Sequence, residues 1–437
     1  MTDLERGSAP RRGGLWHHLD FRRLWIGETV SQFGTMVSQL ALPLVAILVV
    51  HASTFEVGLL TSFETAAFLL VGLPAGAWVD RMRFRQVLIF NDLVRALALG
   101  SVPFAAWMHH LTIGQLYAVA LITGISTVFF DVAYQSYLPE LIDRDLLVEG
   151  NAKLQASESV SQIAGPSVGG VLIQALTAPY AVIVDAASFL WSAAWVGAIK
   201  DRRPKPVRKP DRNLRREIGE GLRFVIRNRM LRAIAMCTGS SNLFSSIGFS
   251  VLYVLLAREL HLSPGIIGLL SSTAAIGGLL GALVASRIAN RCGQGPTIWL
   301  SVMLGGPMAL VVPFIHRDWT LGALAVTQVI WWGTGVVYNI TQVSFRQGLC
   351  PPELLGRMNA TMRFLVWGTM PLGGIIGGAF GAWLGVRHTL LIAGIGACLP
   401  WLPVFLSPLR RMRELPSYED PPMSVSFGEM TGPLAES

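Results

Sequence analysis

Long apolar blocks separated by short polar breaks run along almost the whole of this 437-residue chain. A helix needs about 20 apolar residues to cross about 30 Å of hydrocarbon. Blocks of that length lie at about 24–50, 56–79, 86–108, 113–137, 151–175 and 179–199, and again at 230–257, 265–289, 296–315, 319–345, 358–384 and 388–407. Backbone N–H and C=O groups inside hydrocarbon must be satisfied within the protein. Blocks this long therefore specify helices. The expected fold is an all-α membrane protein of about twelve spans in two six-helix halves. Charge agrees, because Asp, Glu, Lys and Arg make up 14% of the chain, against roughly 25% in soluble domains.

The breaks organise the chain. Residues 1–23 form a polar, arginine-rich N-tail, 24–199 a first bundle and 230–409 a second. Between the bundles lies a basic linker, 200–229. Its first part is too proline-rich for a regular helix. From Leu214, however, Ile218, Leu222, Val225 and Ile226 alternate with Arg215, Arg216, Arg223 and Arg227 at helical spacing. This predicts a basic amphipathic helix on an anionic leaflet. Residues 410–437, rich in Pro, Ser and Glu, are expected to be disordered. No short apolar segment with a small-residue cleavage site follows the N-tail, so no removable signal peptide is expected.

The net charge of +8 is compatible with nucleic-acid binding by sign alone, but the basic residues sit in alternate loops. They concentrate in the N-tail, at 81–85, 200–232, Arg287, Arg291, Arg346, Arg357 and 410–413, and only Arg258, Arg317 and Arg387 break the pattern. The positive-inside rule then places both termini and the linker in the cytoplasm. No nucleic-acid partner is expected. The four cysteines have no paired spacing, and no His/Asp/Glu set has metal-ligand spacing, so neither a metal nor a cofactor is implied. None of Lys153, Lys200, Lys205 and Lys209 follows a glycine, which excludes a phosphate-loop motor. No nucleophile elbow appears, so an enzyme is not expected.

The halves repeat weakly. Tyr134 to Arg144, Asn151-Ala152 and Gly165-Pro166 have counterparts in Phe345 to Arg357, Asn359-Ala360 and Met370-Pro371. Internal repeats of this kind are the architecture of many secondary transporters. Several stretches together resemble the major facilitator superfamily, and within it the bacterial drug and siderophore exporter branch of macrolide efflux and enterobactin export proteins. They are Gly76 to Arg81 with Arg83 and Arg85, Asn91-Asp92-Leu-Val-Arg95, Gly165-Pro166-x-x-Gly169-Gly170, Asp185 to Leu190, and Pro352 to Arg357. The resemblance covers about Leu15 to Leu409. It implies a monomeric, multi-pass transporter in a bacterial inner membrane, exporting small amphipathic molecules (drug or secondary metabolite) by proton antiport and alternating access. A dedicated siderophore or metabolite exporter, an importer, or a non-transporting sensor of the same fold are the alternatives. The sequence departs from the pattern in three places. Arg83 replaces the loop glycine, Gly281 to Arg287 lacks the second-half aspartate, and span 4 has no membrane arginine.

The resemblance and the residues together nominate a site. Gly76, Asp80, Arg81, Arg85, Asp92 and Arg95 form a gating motif around the turn between spans 2 and 3. There Asp80 is expected to face the positive N-terminal end of span 11, near Gly356 to Asn359. Gly165, Pro166, Gly169 and Gly170 on span 5 are expected at a rocking interface, since proline frees a carbonyl and glycine admits close approach. Ionisable residues inside spans default to functional hypotheses. Glu64, Glu28 and Asp131 are the proton-coupling or substrate candidates, and Arg363 is a candidate partner for a carboxylate across the halves. Phe33, Phe244, Trp331, Trp332 and Trp367 are candidate substrate contacts.

Overall fold

The computed structural model describes residues 15, 18–79, 81–142, 146–200, 214–351 and 354–414. Asp80, the proline-rich start of the linker and the tail beyond 414 lie outside the described residues. The first half consists of α1 (Leu19–Leu48), α2 (Thr54–Val79), α3 (Phe84–Trp107), α4 (Ile113–Leu141), α5 (Leu147–Leu176) and α6 (Ala178–Gly197). The linker helix is α7 (Leu214–Arg227). The second half consists of α8 (Arg229–Val254, closed by a wide turn at Leu255–Glu259), α9 (Pro264–Cys292), α10 (Gln294–Gly305), α11 (Thr320–Leu349), α12 (Leu355–Trp367), α13 (Thr369–Trp383), α14 (Val386–Ala397) and α15 (Leu402–Phe405). Among the described residues, 11 helical stretches are long and apolar enough to cross a bilayer. The remaining long helix, α5, has 30 residues and carries Glu149, Lys153 and Glu158.

Apolar length alone misplaces several helix ends. α1 begins at Leu19 rather than 24, because His18 caps it by accepting the Phe21 N–H at 3.1 Å. Glu28 therefore stands more than two turns inside the helix, not one. The ninth span is α-helical only to Gly305 and then runs as tight 3-10 turns at Gly306–Leu310 and Val312–Phe314. Pro307 and Pro313 lack the N–H groups that would extend the α ladder. The eleventh span breaks at Gly368, three residues before Pro371. Side chains satisfy carbonyls at the break: Asn242 donates to Val366 O at 3.0 Å, Thr369 to Val366 O at 2.8 Å, and Ser246 to Met370 O at 2.7 Å. Broken helices survive at membrane depth when neighbours re-pair the backbone in this way.

The linker helix is not simply laid on a leaflet. Val225 is buried among Leu231, Ile298 and Met358 of the second half, and Glu220 pairs with Arg357 at the start of α12. Leu222 and Ile226 are exposed. The chain also stays ordered beyond 410. Residues 408–411 form a 3-10 turn, and Met412 O and Arg413 O accept from Gly295 N and Gln294 N.

The core shows how the halves meet. One large apolar cluster joins both halves at the end where α1 meets α2, from Leu40, Leu44 and Leu99 to Val251, Ile267 and Leu324. Toward the opposite end the apolar clusters among the described residues are separate for each half. One holds Phe21, Leu88 and Phe130 of the first half, another Leu231, Phe345 and Met358 of the second. The body is closed at one end and parted at the other. Two of the arginines that break the loop pattern lie at the closed end. Arg258 donates to Ala52 O of the other half at 2.6 Å, and Arg387 binds Glu259, Pro313 O and Ile315 O.

Candidate functional site

Helices α2 and α13 form one seam between the halves. Ser62 Oγ donates to Pro371 O at 2.9 Å, and Gly374, Gly378 and Gly381 of α13 receive Gly58, Phe55 and Thr54 of α2. A Cβ built on Gly58 would come closest to Gly378 Cα and lie 2.7 Å from both Gly374 O and Gly378 N. Towards the open end α2 meets the end of α12, where Phe68 packs edge-on against Trp367 at 4.4 Å. Beyond that, a Cβ on Gly72 or Gly76 would meet nothing within 4 Å. Arg81 is exposed. Arg85 instead fastens the turn, donating to the last carbonyls of α6, Val196 O at 3.2 Å and Gly197 O. The glycine face of α2 at Gly72 and Gly76 is therefore unpacked at this end.

The second seam joins α5 and α9. The motif on α5 divides between two neighbours. Gly165 and Gly169 lie against Met36 and Val37 of α1, in their own half. Gly170 faces Pro264, Gly265 and Gly268 of the other half, and Ser167 bonds Ser272 at 2.8 Å. Glycine at Gly170 lets the backbones of α5 and α9 approach to a distance that a side chain would forbid.

Between the seams lies a cluster of polar groups carried mainly by the first half. Arg95 bonds Asp92 at 2.5 Å, and its guanidinium lies between the rings of Phe130 and Phe189, 4.3 and 4.1 Å from their centroids. Both members of the pair are buried. Asp185 is buried beside them and accepts from Ser188 at 3.2 Å. Toward the space between the halves, Glu28 Oε1 accepts from Gln32 at 3.0 Å while its Oε2 is buried without a partner among the described residues. Gln32 Oε1 and the Tyr134 hydroxyl are likewise buried and unpaired. Glu28 lies within Coulomb range of Arg95, Asp92 and Asp131, and Asp131 within range of Arg363 and Glu158. A carboxyl with one bonded and one free oxygen can take a proton on the free one. Unpaired buried polar atoms cost about 1–3 kcal/mol each, so such a cluster is retained at a stability cost.

Glu64 lies apart from this cluster. It has no hydrogen-bond or ion-pair partner among the described residues and faces Tyr253 of α8 within Coulomb range. Arg363 is exposed, sits over the Trp367 ring at 5.4 Å and makes no ion pair among the described residues. Of the aromatic candidates, Phe33 lines a groove between α1, α5 and α6, and Trp367 packs on Phe68. Phe244, Trp331 and Trp332 share a cavity in the second half. Gln32 and Tyr134 were not singled out by sequence, although each stands three or four residues from a nominated carboxylate on the same helix face.

A family model described as transmembrane secretion effector matches residues 15–435. The chain belongs to that family. Members of the family are transporters of the major facilitator superfamily, not enzymes. The chain is 28% identical to the multidrug efflux pump Tap of Mycolicibacterium fortuitum, over 84% of its own length and 90% of that protein. It is 24% identical to macrolide efflux protein A of Streptococcus pyogenes, over 86% and 93%. It is 22% identical to the enterobactin exporter EntS of Citrobacter koseri, over 92% and 95%. The fold matches a nucleoside transporter, NupG, with TM-score 0.73 over 89% of this chain and 99% of that one, at 12% identity. A bacterial ferroportin homologue in an inward-facing state matches with TM-score 0.70 over 88% and 98%, at 14% identity. The chain is therefore a multi-pass membrane transporter related to drug and siderophore efflux pumps.

Proposed function

We propose that this transporter exports small amphipathic molecules, a drug or secondary metabolite, across the bacterial inner membrane by proton antiport and alternating access, acting as a monomer. Both termini and the parted end then face the cytoplasm. The exposed arginines of the open end, among them Arg81, Arg83, Arg223, Arg227, Arg287 and Arg291, favour that side. The observation that carries the reading is Glu28. It is a buried carboxyl with one free oxygen, placed beside Gln32, Tyr134 and Asp131 in a body closed at one end only. Through Asp131 the cluster also interacts with Arg363 of the other half, and a charge whose distance changes as the halves rock gives the two orientations different proton affinities. Glu64 is the second candidate carrier, standing alone on α2 opposite Tyr253. Asp80 acts as a latch on the start of α12 when the open end closes, with Arg85 holding the turn. The names of Tap and macrolide efflux protein A support export over import.

The test is loss of dyes and macrolides from pump-deficient bacteria expressing the protein, with and without a protonophore. Protonophore-sensitive loss that disappears in Glu28→Gln supports the proposal. Loss that persists in Glu28→Gln and disappears in Glu64→Gln moves the proton to α2. A well-expressed protein that moves no compound contradicts broad export and leaves a dedicated metabolite carrier.

A further inference from the structure

The cavity that collects Phe244, Trp331 and Trp332 has a cause in the backbone. It lies between α8, the tight turns after α10, α11 and α14, with a volume of about 90 Å3. The repeat relates these four spans to α7's predecessors in the first half, namely α1, α3, α4 and α6. There the corresponding interior is filled by Val37, Leu44, Leu99, Leu116, Val182 and Phe189, all buried in the shared core. In the second half the ninth span leaves the α-helix at Gly306–Leu310. With it goes the regular row of side chains that α3 supplies, and the space stays hollow.

The chemistry of the walls is specific. No ionisable side chain lines the cavity among the described residues. Four rings do, Phe244 and Phe249 from α8 and Trp331 and Trp332 from α11. Phe249 and Trp332 stand at its open side, 38% and 42% exposed, with centroids 6.5 Å apart and planes inclined at 59°. Ser245 and Gln328 line it too, and neither has a hydrogen-bond partner among the described residues. Thr327 is already satisfied, donating to Leu324 O at 2.8 Å.

We propose that this cavity is a ring subsite: it takes an uncharged aromatic ring of the transported molecule, edge or face against the four rings, with Gln328 and Ser245 bonding one polar atom on that ring. Aromatic groups pair in offset or edge-to-face geometry at centroid separations of about 4.5–7 Å, and the Phe249–Trp332 spacing lies within that range. An anionic group is excluded because no basic side chain in the walls would compensate its desolvation. Size sets a further limit. A dry cavity of about 150 Å3 holds benzene, so this one takes the edge of a single ring while the rest of the molecule remains between the halves. The identity of the occupant as export substrate rests on the function proposed above; the existence of the subsite does not.

The experiment is a titration of purified full-length protein in lipid nanodiscs with N-phenyl-1-naphthylamine, a neutral aromatic amine that brightens in apolar sites, after subtraction of empty nanodiscs. Wild type is expected to show saturable binding. Gly248→Leu fills the cavity without disturbing the backbone, since a Cβ there would meet only Ala393 Cβ at 3.7 Å. It is expected to weaken binding by about tenfold or more. Trp331→Ala, which removes a wall, is expected to weaken it as well, and Gln328→Leu by about fivefold. Absence of saturable binding to wild type overturns the subsite. So does unchanged affinity in Gly248→Leu, or in Trp331→Ala if the first variant does not fold. Binding that follows these expectations in a protein that exports no compound would refute the export reading and leave the subsite standing.

Discussion

The α2–α13 seam makes a quantitative prediction for Gly58→Ala. The added Cβ would lie 2.7 Å from Gly374 O and Gly378 N, where ordinary contact begins at 3.4 Å. Gly378 Cα lies closer still, so the helices must part by about 1 Å, or the side chain must be accommodated by strain. Overpacking of this kind costs about 1–3 kcal/mol, and the packed seam is bistable rather than continuously deformable. The cost falls on the state that is closed at this end, so the ratio of the two states should shift by about 5- to 150-fold toward the opposite one. Spin labels on cysteines replacing Gly114 and Trp319 report the closed end, and labels at Gln86 and Arg291 the open end; all four positions are exposed. The exposed native Cys292 is replaced by serine beforehand. Double electron–electron resonance should show the first distance lengthening and the second shortening in Gly58→Ala. Gly72→Ala is the control, because its Cβ meets nothing within 4 Å. A folded Gly58→Ala protein with the wild-type distributions would refute the view that glycine packing at this seam holds the closed end.

Three further outcomes are expected. Arg95→Met leaves Asp92 buried without its partner, which should destabilise the protein by about 3–5 kcal/mol, read as a lowered midpoint in thermal melts; adding Asp92→Asn should restore much of the loss. The Glu220–Arg357 pair is about a third exposed on both sides, so Glu220→Gln should cost only about 0.2–1 kcal/mol. Its visible effect should be faster hydrogen exchange across residues 214–227 with unchanged exchange in α1 to α6. Glu28→Gln should abolish transport driven by a proton gradient while preserving substrate binding, measured as dye affinity in nanodiscs against flux in vesicles.

The spans, the Asp92–Arg95 spacing and the arginine loops are local features, and local patterns carry them. Twelve apolar stretches are visible because bilayer thickness fixes their length. What hydropathy does not carry is the state of the backbone inside a span. Pro307 and Pro313 lie in a run as apolar as its neighbours, yet the chain there is 3-10. Pro166 lies inside α5, which continues through it, so proline alone does not say where a helix stops. Long-range pairing is also silent in sequence. Nothing near Arg95 in the chain marks Phe189 as its second ring, and nothing near Glu220 marks Arg357, 137 positions away. The docking of Val225 reverses part of the leaflet expectation for the same reason, since an amphipathic pattern shows that a face is buried but not what buries it. The glycine motif on α5 was visible as a motif; its division between α1 and α9 depends on where the other half stands.

Antiport is tested most directly in proteoliposomes holding the purified protein and a pH-sensitive dye, with a proton gradient imposed and then an amphipathic substrate added. Proton antiport predicts that substrate moves against its gradient only while the proton gradient lasts, and that substrate addition alone drives a counter-flow of protons that Glu28→Gln removes. Substrate flux of equal size with and without the proton gradient, and no proton movement on substrate addition, would contradict it.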